Sequence, residues 1–293
     1  MARWRIEPLR SSSRHSDTAR WTGAEPVEGR TILLHAEQGF GDTLQFCRYA
    51  PLLADRGARV ILAVPPALTG LCETLRGGAQ IVSTDEALPA FDLHCPLMSL
   101  PRAFRTTLRS IPAEVPYLTA RAGAISAFDA MLPRGLRVGL VWAGGARPDQ
   151  PHAAAIDRRR SLPLATMARL GDVPGCVFVS LQVGPPGVQA RTAPFPLIDV
   201  ATRLTDFAAT AALIETLDLV IAADTAVAHL AGALGKPVWL LSRFDACWRW
   251  MVGRDDTPWY PTMRLFRQTR PGDWDGVMQR VARALGSLHD DPG

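Results

Sequence analysis

From Thr31 onward, short apolar runs alternate with stretches of helical spacing. The runs at 31–35, 59–64, 79–83 and 91–95 read as strands, bounded by glycine, proline or polar residues. Between them, 42–54 and 67–76 carry the spacing of helices. A second alternation begins at Leu136. It predicts strands over 136–142, 176–181, 219–223 and 237–241, and helices over 164–170, 206–217, 225–234 and 275–285. The stretch 147–160 has no periodicity and reads as a loop. Strands alternating with helices imply parallel sheets covered on both faces, so the expected fold is α/β in two successive halves. Pro101, Pro112, Pro116, Pro133 and Gly135 punctuate the middle, which puts the interdomain link near 118–135. The expected division is a tail over 1–29, a first domain over 30–125 and a second over 136–285. Trp4 and Trp21 are isolated in the tail and are expected to pack on something. No internal period of 20–50 residues runs through the chain.

Composition narrows the picture. With 293 residues, 47% hydrophobic and 20% charged, the chain is long enough for two domains and too apolar to be disordered. No apolar run approaches the roughly 20 residues of a membrane span, and the first residues lead into Ser11-Ser12-Ser13 rather than an apolar core, so no secretory signal is expected. The five cysteines are odd in number and lack C-x-x-C spacing, which argues against a disulfide scaffold or zinc ribbon and suits a reducing, cytoplasmic setting. The net charge is +4, and of the 32 basic residues only Lys236 is lysine. Arginine suits phosphate geometrically. No basic run is interleaved with aromatics, so no nucleic-acid partner is expected.

Three stretches offer chemistry. Gly39-Phe40-Gly41-Asp42-Thr43 follows a strand and opens a helix. It lacks the third glycine and the acidic partner of a dinucleotide fingerprint, which makes a nicotinamide enzyme unattractive. Asp42 is equally readable as a helix cap and as an acid–base group. In 219–235 a buried strand ends at Asp224-Thr225 and a small-residue helix follows, so its first N–H groups and positive dipole end suit an anion. His229 stands four residues after Thr225 on the same helix face, and it is readable either as a ligand contact or as a satisfied core histidine. Gly139 through Gly145 is a strand running into a glycine turn, followed by Arg158-Arg159-Arg160-Ser161. Backbone donors and cations there suit a diphosphate, although a charge run is ordinarily solvated. Asp273-Trp274-Asp275 matches the D-x-D metal pattern, but it precedes a helix where acids suit the dipole. The six histidines show no zinc-ligand spacing, and no metal or other cofactor is expected.

Taken together, these stretches resemble the C-terminal glycosyltransferase region of bacterial tetratricopeptide-repeat proteins. That region is itself similar to the ADP-heptose:lipopolysaccharide heptosyltransferases of glycosyltransferase family nine. The resemblance covers roughly 30–285. It is carried by His35-Ala36-Glu37-Gln38-Gly39-Phe40-Gly41-Asp42-Thr43-Leu44-Gln45-Phe46, 91–97, 139–144, Ser180-Leu181-Gln182, 224–235 and Pro258-Trp259-Tyr260-Pro261-Thr262. It implies a GT-B fold, two Rossmann-like doubly wound domains facing across a cleft. It further implies an inverting, metal-independent transfer from a nucleotide-sugar donor, ADP- or UDP-linked, to a glycolipid or protein hydroxyl. Asp42 matches the family's general base, and Arg160, in Arg160-Ser161-Leu162-Pro163, matches the basic residue that supports the diphosphate. The donor contacts implied are Gly39, Gly41, Ala143, Gly144, Gln182, Asp224, Thr225, Ala226 and His229. Val183 stands where relatives commonly have lysine. That departure, and the lack of repeats, motivate the rival expectation of a non-catalytic nucleotide-sugar-binding or scaffold protein.

Overall fold

A computed structural model describes residues 18–145 and 149–290. It divides into two compact units, residues 1–111 and 112–293. Trp4 lies outside the described residues.

The first unit holds a four-stranded parallel sheet in the order β3-β2-β1-β4. Its strands are β1 (Thr31–His35), β2 (Arg59–Val64), β3 (Gln80–Ser83) and β4 (Leu93–Pro96). Ile32, Leu33 and Leu34 are fully buried at its centre, as expected of a strand covered on both faces. The expected single helix over 42–54 is broken. It becomes α1 (Phe40–Phe46), a 3-10 turn over Cys47–Tyr49 and α2 (Ala50–Ala54), with Pro51 at the start of α2. Proline lacks an N–H and suits a helix's first turn, so it starts a new helix there rather than continuing the old one. Helices α3 (Pro66–Cys72) and α4 (Leu100–Ala103) complete the unit. The segment expected as tail is integrated from its last third. Residues 19–21 lie alongside β4, with Trp21 N–H donating to His94 O at 2.8 Å and His94 N–H to Ala19 O at 3.1 Å. Trp21 is buried, meets Phe104 edge-on and donates its ring N–H to Glu25 O at 3.0 Å. It thus packs as a tryptophan with both an apolar face and a polar handle should.

The second unit holds a six-stranded parallel sheet in the order β10-β9-β8-β5-β6-β7. Its strands are β5 (Leu136–Val141), β6 (Cys176–Ser180), β7 (Ile198–Asp199), β8 (Leu219–Ala223), β9 (Val238–Ser242) and β10 (Met263–Arg267). Counted from β5, this is the doubly wound order 3-2-1-4-5-6, whose direction reverses between β5 and β8. The link expected over 118–135 contains α5 (Ala122–Asp129), which packs on α7 (Phe207–Glu215). The division falls earlier, at Ile111. The aperiodic stretch expected as a loop contains α6 (Pro151–Arg160), in which only Asp157 is buried. A helix that buries one polar residue has no apolar period to read, while Pro151 at its start and Ala153-Ala154-Ala155 favour it locally. The helix expected over 164–170 is instead a run of 3-10 turns, Leu164–Asp172. Against it lies α9 (Trp274–Asp290), which buries Val277, Met278, Val281 and Leu285. Helix α8 (Ala226–Ala233) follows β8, and no described helix is long and apolar enough to cross a membrane.

Candidate functional site

In open parallel sheets, ligands collect beyond the carboxyl ends of the strands where the winding reverses. Here that point lies past Val141 on β5 and Ala223 on β8, strands paired through Val141↔Ala222. Hydrogen bonds and close approach join five of the expected residues there, Ala143, Gly144, Arg160, Gln182 and Asp224, and Thr225 and Ala226 follow Asp224 in the chain.

The β5 turn is held by one carboxamide. Gln182 Oε1 accepts from the backbone N–H of Trp142 (3.1 Å) and Ala143 (2.8 Å), and its Nε2 donates to Ala143 O and Val183 O, each at 3.1 Å. Gln182 is buried, so these bonds are made away from water. It is therefore a residue that shapes the turn. Val183 beside it is exposed. Gly144 N–H donates to Ser161 Oγ at 3.1 Å. A Cβ on Gly144 would lie 2.5 Å from Arg160 Nη2 and 2.8 Å from Nε. Glycine is needed there because the guanidinium lies against the turn.

The arginine run splits by environment. Arg158 and Arg159 are exposed, whereas Arg160, the last residue of α6, turns inward. Arg160 Nη1 donates to Asp224 O at 2.7 Å, and Nη2 forms an ion pair with Asp157 one helical turn back. A cation at a helix's C-terminal end is also favoured by its dipole. The solvated reading of the run holds for two of the three, and Arg160 is the one that ties α6 to the end of β8.

Asp224 does not cap α8. Thr225 is the N-cap, with extended backbone and no side-chain cap bond. The first N–H groups of α8 are therefore not claimed by a cap from Thr225, and they point at the turn past β8. His229, on the same helix, is buried. Its Nδ1 lies 2.9 Å from Tyr260 Oη, and its ring stacks on Trp250 at 5.2 Å. This is the arrangement of a histidine satisfied inside an aromatic box. The Tyr260 contact gives Pro258-Trp259-Tyr260-Pro261 a task that sequence reading left open. A Cβ on Gly232 would lie 2.5 Å from Tyr260 Cδ1, so the small residue admits the ring.

Gly39, Gly41 and Asp42 lie in the first unit, after β1. Gly39 is the N-cap of α1 at φ −71°, an extended conformation open to any residue, and Gly41 is inside the helix. Asp42 sits one turn in, where its Oδ2 accepts from Gly39 N–H at 3.1 Å. It is the returning half of a capping box rather than the cap itself. Two neighbours escaped the sequence reading. Glu37 keeps much of its surface exposed, yet water lost around its carboxyl pushes it above the usual carboxylate range. The Asp42 charge adds to that rise and Arg20 opposes it. His35 Nε2 lies 3.3 Å from His94 Nδ1 across β1 and β4. Only the register Leu33↔His94 brings them together, so spacing gave no signal.

Asp273 of the D-x-D match caps α9. It accepts from Gly276 N–H at 3.1 Å and from Thr269 Oγ1 at 2.9 Å, bonds that hold its carboxyl below the usual range. Among the described residues no three His, Cys, Asp or Glu side chains gather as a metal site.

Comparison with known proteins bears on this end of the sheet. Residues 189–241, from before β7 through β9, match the model of glycosyltransferase family 9 (heptosyltransferase). Over 296 aligned residues the chain is 27% identical to the protein FlbA of Caulobacter vibrioides, which covers 91% of this chain and 48% of that one. The chain thus spans about half the length of this curated relative. A family 9 glycosyltransferase from Veillonella parvula superposes with a TM-score of 0.64 at 10% identity, covering 91% of this chain and 99% of that one. The Escherichia coli ADP-heptose lipopolysaccharide heptosyltransferase II superposes with a TM-score of 0.58 at 12% identity, covering 89% and 100%. The α/β fold with parallel sheets is thereby that of the GT-B type. At 10–12% identity these solved structures share the fold with this chain, and the family match is confined to residues 189–241.

Proposed function

We propose that this chain is an inverting, metal-independent glycosyltransferase that moves a sugar from a nucleoside-diphosphate donor to a hydroxyl. The observation that carries the reading is the convergence at the β5–β8 reversal. Arg160, whose Nε is buried without an acceptor, and the uncapped start of α8 offer donors to one place beside the Gln182-held turn. That place suits a diphosphate, whose negative charge grows as it leaves. An ADP-linked donor is favoured by the likeness to an ADP-heptose enzyme, with UDP as the other choice.

In this mechanism Asp42 takes the proton of the acceptor hydroxyl. The acceptor oxygen bonds to the anomeric carbon from the face opposite the diphosphate. The carbon–oxygen bond to phosphate breaks, and the nucleoside diphosphate leaves with the electron pair. Arg160 and the α8 N–H groups take up that charge, so the cationic task is met by the protein's own groups. The acceptor is a glycolipid or a protein hydroxyl, and the resemblance to tetratricopeptide-repeat proteins favours protein. The setting is cytoplasmic.

The test is Asp42→Asn. The amide still accepts from Gly39 N–H, so fold and ADP binding are retained. It takes no proton, so release of nucleoside diphosphate from an ADP-sugar falls by about 10²–10⁴. Turnover unchanged in the folded variant refutes Asp42 as the base. Tight binding with no turnover across donors and acceptors supports the rival, a non-catalytic nucleotide-sugar-binding protein.

A further inference from the structure

One strand beyond the reversal, the same end of the six-stranded sheet carries a second buried guanidinium. Arg243 follows β9 directly, and β9 pairs with β8 through Ala223↔Leu241. It is 9% exposed. Its Nε lies 3.5 Å from Asp245 Oδ1, too long for a hydrogen bond, and neither Nε nor Nη1 meets an acceptor among the described residues. Asp245 is half exposed and already engaged, since its Oδ2 lies 3.2 Å from Arg159 Nε. Arg159 precedes Arg160, whose own Nε is likewise buried without an acceptor, as is Thr225 Oγ1. The loop bearing Arg243 is fixed from β10. Gln268 Oε1 accepts from Phe244 N–H at 3.0 Å, and Gln268 N–H donates to Ser242 O at 2.9 Å.

A buried cation with two unsatisfied donors is destabilising by itself, so its retention needs a compensating acceptor. Among the described residues Asp245, at ion-pair distance and shared with Arg159, is the nearby carboxylate, and it bonds neither donor. The unsatisfied groups on Arg160, Thr225 and Arg243 are three N–H donors on two cations and one hydroxyl, at the same end of the sheet. That set matches the oxygens of a phosphoryl group. The geometry points to Arg243 as a second phosphoryl-binding residue, working beside Arg160 on a nucleoside diphosphate. This rests on the donor reading above, and names which further side chain holds that donor.

The experiment compares the whole chain with Arg243→Gln, using ADP, adenosine and inorganic phosphate as probes in calorimetry and thermal melts. Arg243→Gln is expected to bind ADP at least tenfold more weakly, with adenosine unchanged within twofold. Its ligand-free Tm is expected to equal or exceed that of the parent, which a structural arginine would not give. Arg243→Lys keeps the charge without the fork and is expected to fall between them. It carries the comparison if the glutamine variant does not fold. Protection of the parent by phosphate that Arg243→Gln abolishes, in a chain without transferase activity, keeps the phosphoryl site and refutes only the donor reading. ADP affinity retained in a folded variant, or a parent that binds neither ADP nor phosphate, overturns the proposal.

Discussion

Removing the Gln182 carboxamide tests whether the β5 turn is built by that side chain. In Gln182→Leu the shape is nearly kept, but Trp142 N–H, Ala143 N–H, Ala143 O and Val183 O lose their partners. Val183 is exposed, so its carbonyl regains water. The other three groups lie at buried residues. At about 1–3 kcal/mol for each unsatisfied buried group, and with partial relaxation of the turn, the loss is about 3–5 kcal/mol. Gln182→Glu separates the two halves of the network. A carboxylate still accepts from both N–H groups but is a buried charge facing two carbonyls, so at neutral pH the loss is again about 3–5 kcal/mol. Urea unfolding of the three proteins, with ADP binding measured below the transition, gives both quantities. Both variants are expected to be less stable than the parent, with ADP affinity falling as the turn loosens beside Gly144. A leucine variant within about 1 kcal/mol of the parent would show that the turn holds itself, and the reasoning from unsatisfied groups would fail.

Arg160→Ala removes the tie to Asp224 O and one partner of buried Asp157. It should weaken ADP binding and also lower kcat, because the cation meets more charge in the transition state, and steady-state kinetics show both together. Gly232→Ala forces Tyr260 away and parts it from His229, so thermal denaturation should report a loss of about 1–3 kcal/mol. Glu37 is raised by desolvation first and the Asp42 charge second. The folded state therefore binds its proton more tightly than the unfolded state. Stability is fullest below the usual carboxylate range and declines as pH rises through the raised value. Glu37→Gln should flatten that decline in urea midpoints taken from pH 4 to 7, and a parallel decline in both proteins would refute the assignment.

The α/β class followed from the sequence because fully buried parallel strands are continuous apolar runs. Ile32-Leu33-Leu34 and Leu219-Val220-Ile221-Ala222-Ala223 have no other stable use at that length. The glycine turn after β5 and the strand-to-helix step at Asp224-Thr225 were legible because each ends a local apolar pattern. Helix α6 was not legible, because it buries one aspartate and shows no period. Nor was the break at Pro51, where turn chemistry overrode a helical spacing. The fate of the arginine run depended on tertiary structure alone. Three identical side chains in a row carry the same local signal, and only the position of Asp224 O and Asp157 turns Arg160 inward while its neighbours stay in water. Arg243 gave no signal either, because a lone arginine after a strand reads as surface. Its burial is set by the order β10-β9-β8-β5, a pairing between segments far apart in the chain. Local patterns fix which segments are strands and helices, because periodicity acts over a few residues. Which charges lose their water is decided by strand order and register, which join residues that no sequence window contains.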